Sequence, residues 1–278
     1  MPHFICPICQ SELSPEPNRY SCPNGHSYDR AKSGYVNLLM SQHKKEKRHG
    51  DDRAMVQART RFLEAGHYQG LSEALLQAVR PWVRPGWVLL DIGCGEGFFS
   101  DGIYRALGEE GLTLSLLGVD ISREALKAFS RRNREAGLAV ASAFHLPVKS
   151  ESCQAALSVF APLDPGEARR VLAPGGVLIK AYPLEKHLLS LKKQIYQQVY
   201  ENKRPDPALS GFVREESREV RGNIHLDTQE EIRDLFMMTP YFYKTSREDQ
   251  EKLLNIPRLS TETEFGVDVY RRDNSGSF

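Results

Sequence analysis

Residues 38–62 are polar and charged, and a helical pattern begins at Ala65 and runs to Val79, interrupted by Gly66-His67-Tyr68-Gln69-Gly70. Leu71, Leu75, Leu76 and Val79 recur at helical spacing, so this stretch predicts an amphipathic helix laid on a core. Pro81 and Pro85 then mark the approach to a first strand that ends at Leu89-Leu90-Asp91. A helical pattern follows the glycines after it. Residues 114–119, Leu-Ser-Leu-Leu-Gly-Val, predict a second buried strand. Ser122 stands as an N-cap before a helix with Ala125, Leu126 and Phe129 on one face. Val159-Phe160-Ala161-Pro162 closes a fourth strand, with Cys153 in the loop before it, and residues 170–179 read as helix, turn and fifth strand. Strands alternating with helices predict an α/β fold on a mostly parallel sheet. Internal repeats and low-complexity blocks are absent from the sequence.

Composition narrows the class. A chain of 278 residues, 40% hydrophobic, suits one large domain plus a small appendage. The net charge of +1 neither favours nor excludes nucleic acid. Basic residues cluster instead: His43-Lys44-Lys45-Glu46-Lys47-Arg48-His49, followed by Arg53, Arg59 and Arg61, and later Arg131, Arg132 and Arg134. Their plainer reading is a solvated linker or helix face. The N-terminus lacks the apolar region of a signal peptide, and no run of 18 apolar residues exists, so a cytoplasmic protein without membrane contact is expected.

Three of the five cysteines lie within 17 residues. Cys6 and Cys9 form a Cys-x2-Cys knuckle, and Cys22 with His26 completes Cys-x2-Cys-x12-Cys-x3-His. Three thiolates and an imidazole match a tetrahedral zinc site, and a closed set of four leaves no position for a reactive water. A redox Cys-x-x-Cys is the alternative, but the second half-site favours a structural metal, one zinc per chain. So short a segment has little core of its own, so metal loss is expected to unfold it and leave the larger domain standing.

The most specific chemistry lies at residues 89–99, where Asp91 precedes glycines at 93, 95 and 97. Glycine at these positions lets a ligand reach the backbone of a strand-to-helix turn. Asp-x-Gly-x-Gly-x-Gly differs from the dinucleotide pattern in its third glycine and preceding acid. It resembles motif I of class I methyltransferases, which bind S-adenosylmethionine (SAM). The resemblance implies a Rossmann-like, mostly parallel seven-stranded sheet. Asp120 follows Gly97 by 23 residues, near the offset of a ribose-binding carboxylate. Where many such enzymes carry an acid toward the adenine amino group, this chain has Ala141-Ser142-Ala143, so Ser142 or a backbone carbonyl would accept there.

A longer resemblance covers residues 4 to about 270. Gly25-His26-Ser27-Tyr28-Asp29-Arg30-Ala31-Lys32-Ser33-Gly34-Tyr35-Val36-Asn37, Gly50-Asp51-Asp52, Ala65-Gly66-His67-Tyr68-Gln69, Phe160-Ala161-Pro162, His187-Leu188 and Met238-Thr239-Pro240 resemble the bacterial 23S rRNA (guanine-N1) methyltransferases. The resemblance implies methyl transfer from SAM to N1 of a guanine in a hairpin loop of domain II, a zinc module that helps grip the RNA, and a homodimer. It implies SAM contacts at Tyr68, Gly95, Glu96 and His187, added to Asp91, Gly93, Gly97, Asp120 and Ser142 of the cofactor turn and strands. The organisation then reads as a zinc module at 1–37, a basic and helical connector at 38–80 and a methyltransferase domain at 81–278.

Guanine N1 bears a proton, so transfer requires its loss, and its place on the Watson–Crick edge requires an unpaired base. Asp164 and His187 are the titratable groups nearest the expected pocket. Phe160 is placed to stack on the base and Pro162 to shape the pocket. Lys44, Lys45, Lys47 and Arg48 are candidate phosphate contacts. Two other readings compete: a SAM-dependent methyltransferase for a small molecule with a scaffold zinc, and a non-catalytic RNA-binding module. The basic run opposes the first, and the intact Asp91, glycines and Asp120 oppose the second.

Overall fold

A computed structural model describes residues 4–40 and 50–274. In chain order the strands and helices are β1 (Ser14–Pro15), β2 (Arg19–Ser21), β3 (Ser27–Asp29), β4 (Val36–Asn37), α1 (Arg53–Glu64), α2 (Gln69–Val79), β5 (Val88–Ile92), α3 (Phe98–Glu109), β6 (Ser115–Asp120), α4 (Arg123–Arg132), β7 (Gly137–Val140), β8 (Cys153–Val159), α5 (Pro165–Val171), β9 (Leu172–Pro183), α6 (Leu189–Ile195), β10 (Phe212–Leu226), α7 (Gln229–Met237), α8 (Arg247–Lys252) and β11 (Leu259–Arg272). Among these residues no helix is long and apolar enough to cross a membrane.

The main sheet has eight strands in the order β10-β11-β9-β8-β5-β6-β7-β4. From β4 to β9 every neighbouring pair is parallel, while β11 and β10 add antiparallel strands at one edge. The order reverses at β5, which opens a crevice beyond the carboxyl ends of β5, β6 and β8. The Gly93–Gly97 turn lies in that crevice.

Three sequence expectations change. The seven strands gain an eighth because Val36–Asn37 pairs parallel with Ala139–Val140. Residues 53–64 form a helix, ahead of the helical pattern read from Ala65 onward. Asp52 caps it by accepting from the Met55 N–H, and it buries Met55, Val56, Ala58, Phe62 and Leu63. Cys153 is the first residue of β8, not a loop residue, and burial pushes its thiol up to about 12.

The N-terminal segment is not an independent lobe. No helix lies between β7 and β8. The sheet face there is covered instead by Phe4, Cys6, Leu13, Tyr20 and Cys22, in one cluster with Leu90, Leu117, Ala139, Leu146, Val148 and Leu178. Backbone bonds join the two parts: Ile5 N–H donates to the Pro147 carbonyl, and Phe4 bridges Val148. This corrects the expectation of a separate core. Phe4→Ala should therefore cost about 3–5 kcal/mol. Zinc release and fluorescence of Trp82 and Trp87, which both lie near the start of β5, should report one coincident transition in urea. Two separated transitions would show that the parts unfold independently.

Candidate cofactor and metal sites

The three motif glycines have different reasons to be glycine. All have positive φ: +73° at Gly93, +54° at Gly95 and +74° at Gly97. A Cβ on Gly93 would stand 2.4 Å from the Ala161 Cβ, and one on Gly97 would stand 2.3 Å from the Phe129 ring. Both are required by packing. A Cβ on Gly95 would meet only the Arg59 guanidinium, at 3.9 Å, so this glycine faces the crevice.

Carboxylates crowd the same space. Asp91 is buried at the end of β5. Burial first, then Asp120 and Glu96, raise its carboxyl to about 7. Asp120 accepts from the Gly95 N–H at 2.9 Å and the Ser122 N–H at 2.7 Å, so the acid fixes the glycine turn. Ser122 caps α4 as expected. Glu96 is only 3% exposed and lies 3.2 Å from the Arg59 Nε. Arg59 also pairs with Asp51. The sequence placed Arg59 only in a basic cluster and Asp51 only in the Gly50-Asp51-Asp52 stretch, and it assigned neither to the cofactor site. Ser142 is already engaged: its Oγ accepts from the Phe144 N–H and its carbonyl from the His145 N–H.

Tyr68 and His187 meet although 119 residues separate them. Tyr68 is buried edge-on against Phe62 and Phe265, with ring centroids 5.2 and 4.9 Å away. The His187 Nδ1 accepts from the Glu264 N–H at 3.3 Å, which assigns the proton to Nε2, 3.4 Å from the Tyr68 hydroxyl. Burial, with Lys192 nearby, drops His187 to about 3, so it stays neutral. Phe160 stacks on it with centroids 6.4 Å apart and planes 17° apart, and remains 43% exposed. Phe160 and Leu188 both hold left-handed backbone, with φ of +55° and +57°. Such strain in bulky residues gathers at functional sites. Pro162 is exposed two residues on. Both His187 nitrogens are engaged, and the Asp164 Oδ1 caps α5 by accepting from the Glu167 N–H.

Cys6, Cys9, Cys22 and His26 converge, their ligand atoms all within 4.8 Å of one another. The separations are 3.6 Å for Cys9–Cys22 and 3.5 and 3.4 Å from the His26 Nδ1 to Cys6 and Cys22. A zinc tetrahedron with ~2.3 Å Zn–S bonds has edges of roughly 3.5–3.8 Å, so this donor set fits the ion. The Tyr28 hydroxyl lies 3.0 Å from the Cys6 sulfur, placed to donate to a thiolate. Lys44, Lys45, Lys47 and Arg48 lie outside the described residues.

Seven strands in the order third, second, first, fourth, fifth, seventh, sixth, with a glycine turn after the first, define a class I SAM-dependent methyltransferase, here fronted by a zinc ribbon. Residues 4–47 match the zinc-ribbon family described as "RlmA, N-terminal", and residues 89–176 match a methyltransferase domain. The chain is 36% identical over 211 residues to a Micromonospora griseorubida protein provisionally named a 23S rRNA (guanine-N(1)-)-methyltransferase, covering 69% of each. It is 37% identical over 196 residues to the 23S rRNA (guanine(748)-N(1))-methyltransferase of Streptomyces fradiae, covering 68% of this chain and 66% of that one. The crystal structure of the YcgJ protein from Bacillus subtilis shares the fold, with a TM-score of 0.50 and 13% identity over 75% of this chain and all of that one. The chain belongs to the 23S rRNA (guanine-N1)-methyltransferase family.

One prediction tests the turn glycines. Gly97→Ala should destabilise the fold by about 2–4 kcal/mol, through Phe129 and the left-handed backbone. Gly95→Ala should cost about 1 kcal/mol yet weaken SAM at least tenfold by calorimetry. The second concerns pH. Asp91 binds its proton more tightly folded than unfolded, so ionisation favours the unfolded chain. Its stabilising contribution is full below pH 4 and is lost as pH rises through 7. Between pH 5 and 8 the ligand-free wild type should lose about 2–3 kcal/mol that Asp91→Asn does not, read by urea unfolding.

Proposed function

We propose that this protein transfers a methyl group from SAM to N1 of one guanine in a domain II hairpin loop of 23S rRNA. In this reading residues 1–37 grip the RNA, 38–80 connect, and 81–278 carry the chemistry, with Val36–Asn37 stitched into the catalytic sheet. The observation that carries the reading is the half-exposed Phe160 ring at the carboxyl end of β8, backed by neutral His187, beside a crevice ringed with carboxylates. An aromatic face of this kind suits a splayed, unpaired base. Docking of the Cys6–His26 module on the 142–148 loop adds a second surface at the same side of the fold, as an extended RNA substrate needs and a small molecule does not. The homodimer and the cytoplasmic location belong to the same reading.

SAM, when bound, supplies an electrophilic methyl on a sulfonium. Gly95 opens the turn to it. Asp120 would offer its carboxylate to the ribose hydroxyls, and Asp91 and Glu96 would offset the positive charge. Tyr68, held by the His187 Nε2–H, would wall the methyl end together with Phe160. The chain's contribution is then position: a base stacked on Phe160 is held in line while N1 loses its proton.

The test is primer extension on unmodified 23S rRNA. N1-methylguanine blocks pairing, so reverse transcriptase should halt one nucleotide before a loop guanine, only when protein and SAM are both present. Phe160→Ala should reduce that stop about 5- to 150-fold at unchanged SAM affinity, the range of one lost base–aromatic stack. SAM binding with no stop on authentic rRNA would turn the reading toward a small-molecule substrate.

A further inference from the structure

We propose that Arg59 is the receptor for the α-carboxylate of the SAM methionyl tail, and thereby the residue that selects the complete cofactor. The inference rests on the SAM site described above. That site is anionic: the charges of Asp120 and Glu96 act on Asp91, and the charge of Asp51 acts on Glu96 and Asp120. A sulfonium and an ammonium suit such a cradle. A carboxylate does not, unless a cation waits for it.

Arg59 is that cation. It reaches down from α1 to within 3.2 Å of Glu96 by Nε and pairs with Asp51 by Nη2. Its Nε makes no hydrogen bond. Its Nη1 has no hydrogen-bond partner among the described residues and lies 3.9 Å from where a Cβ on Gly95 would stand. A guanidinium with one edge held by acids and another edge open is a pre-aimed fork for a carboxylate. The helix that carries it is itself clamped to the cofactor end. The Ser122 hydroxyl donates to the Asp51 carbonyl, and a Cβ on Gly50 would strike Ser122 at 2.8 Å. Neighbouring cations are committed elsewhere. Arg132 pairs with Glu64 and lies over the Phe98 ring at 5.5 Å, while Arg61 turns outward to Asp234 and Glu230.

The experiment is calorimetry of the full chain with SAM and with decarboxylated SAM, which keeps the sulfonium and the amine and lacks only the carboxylate. The wild type should prefer SAM by about 10- to 100-fold, the range of a charge-assisted bond to a carboxylate. Arg59→Met should lose that preference: SAM weakens by the same factor and decarboxylated SAM binds within about twofold of wild type. Arg59→Lys should restore part of the preference. The wild-type comparison needs no variant and stands even where a variant unfolds. Equal affinity of the wild type for the two ligands overturns the proposal, as does an Arg59→Met loss shared equally by both, which would mark Arg59 as a strap for α1. A wild type that binds neither ligand overturns the SAM site itself.

Discussion

Parallel strands expose apolar side chains on both faces, and both must be covered. β5 is buried along its whole length, and β6, β7 and β8 nearly so. On one face α2, α3, α4, α6 and α7 supply the cover. On the other, α5 supplies part, and the helix-free crossing from β7 to β8 leaves a bare stretch. Phe4, Leu13 and Tyr20 fill it. The zinc ribbon thus stands in for a crossover helix. A segment too small to build a core obtains one by sharing the core of the sheet, and the metal holds its knuckles in the shape that fits. Through Ile5, Pro147 and Val148 the ribbon also fixes the 142–148 loop, which borders the cofactor crevice. Metal, sheet and site are one mechanical unit.

The crevice is governed by charge in a poorly solvated space. Asp91, Glu96 and Asp120 are each raised by burial, and Arg59, Arg132, the Ser100 hydroxyl and backbone N–H groups oppose the rise. Such a site is poised for a ligand with net positive charge, because a cation offsets the cost of burying carboxylates this close together. The relatives from Micromonospora griseorubida and Streptomyces fradiae carry names that describe transfer to guanine N1. For that chemistry an open aromatic face is as necessary as a cofactor cradle. Two strained residues, Phe160 and Leu188, shape it against His187. A histidine held in one tautomer and kept neutral serves here as a wall and a hydrogen-bond donor.

The sequence by itself determined what depends on local spacing. Glycines at 93, 95 and 97 specify a turn because only glycine takes those dihedrals without strain. The offset of Asp120 follows from one β–α–β repeat, and Cys6, Cys9, Cys22 and His26 announce their metal by knuckle spacing and donor type. Ser122 declared its cap through the helix pattern behind it. What only the tertiary structure decided depends on which surfaces meet. The polar sequence of α1 hid a helix whose buried side chains find their partners on α4 and α7. Val36–Asn37 is too short to read as a strand until β7 lies beside it. Tyr68 and His187 become a pair, and Arg59 a cation beside Glu96 and Gly95, only once distant elements pack at the same crevice. Periodicity and spacing encode backbone geometry within a few turns of chain. Contacts across 100 residues or more, such as Tyr68 with His187, are encoded in shape and charge complementarity that no local window contains.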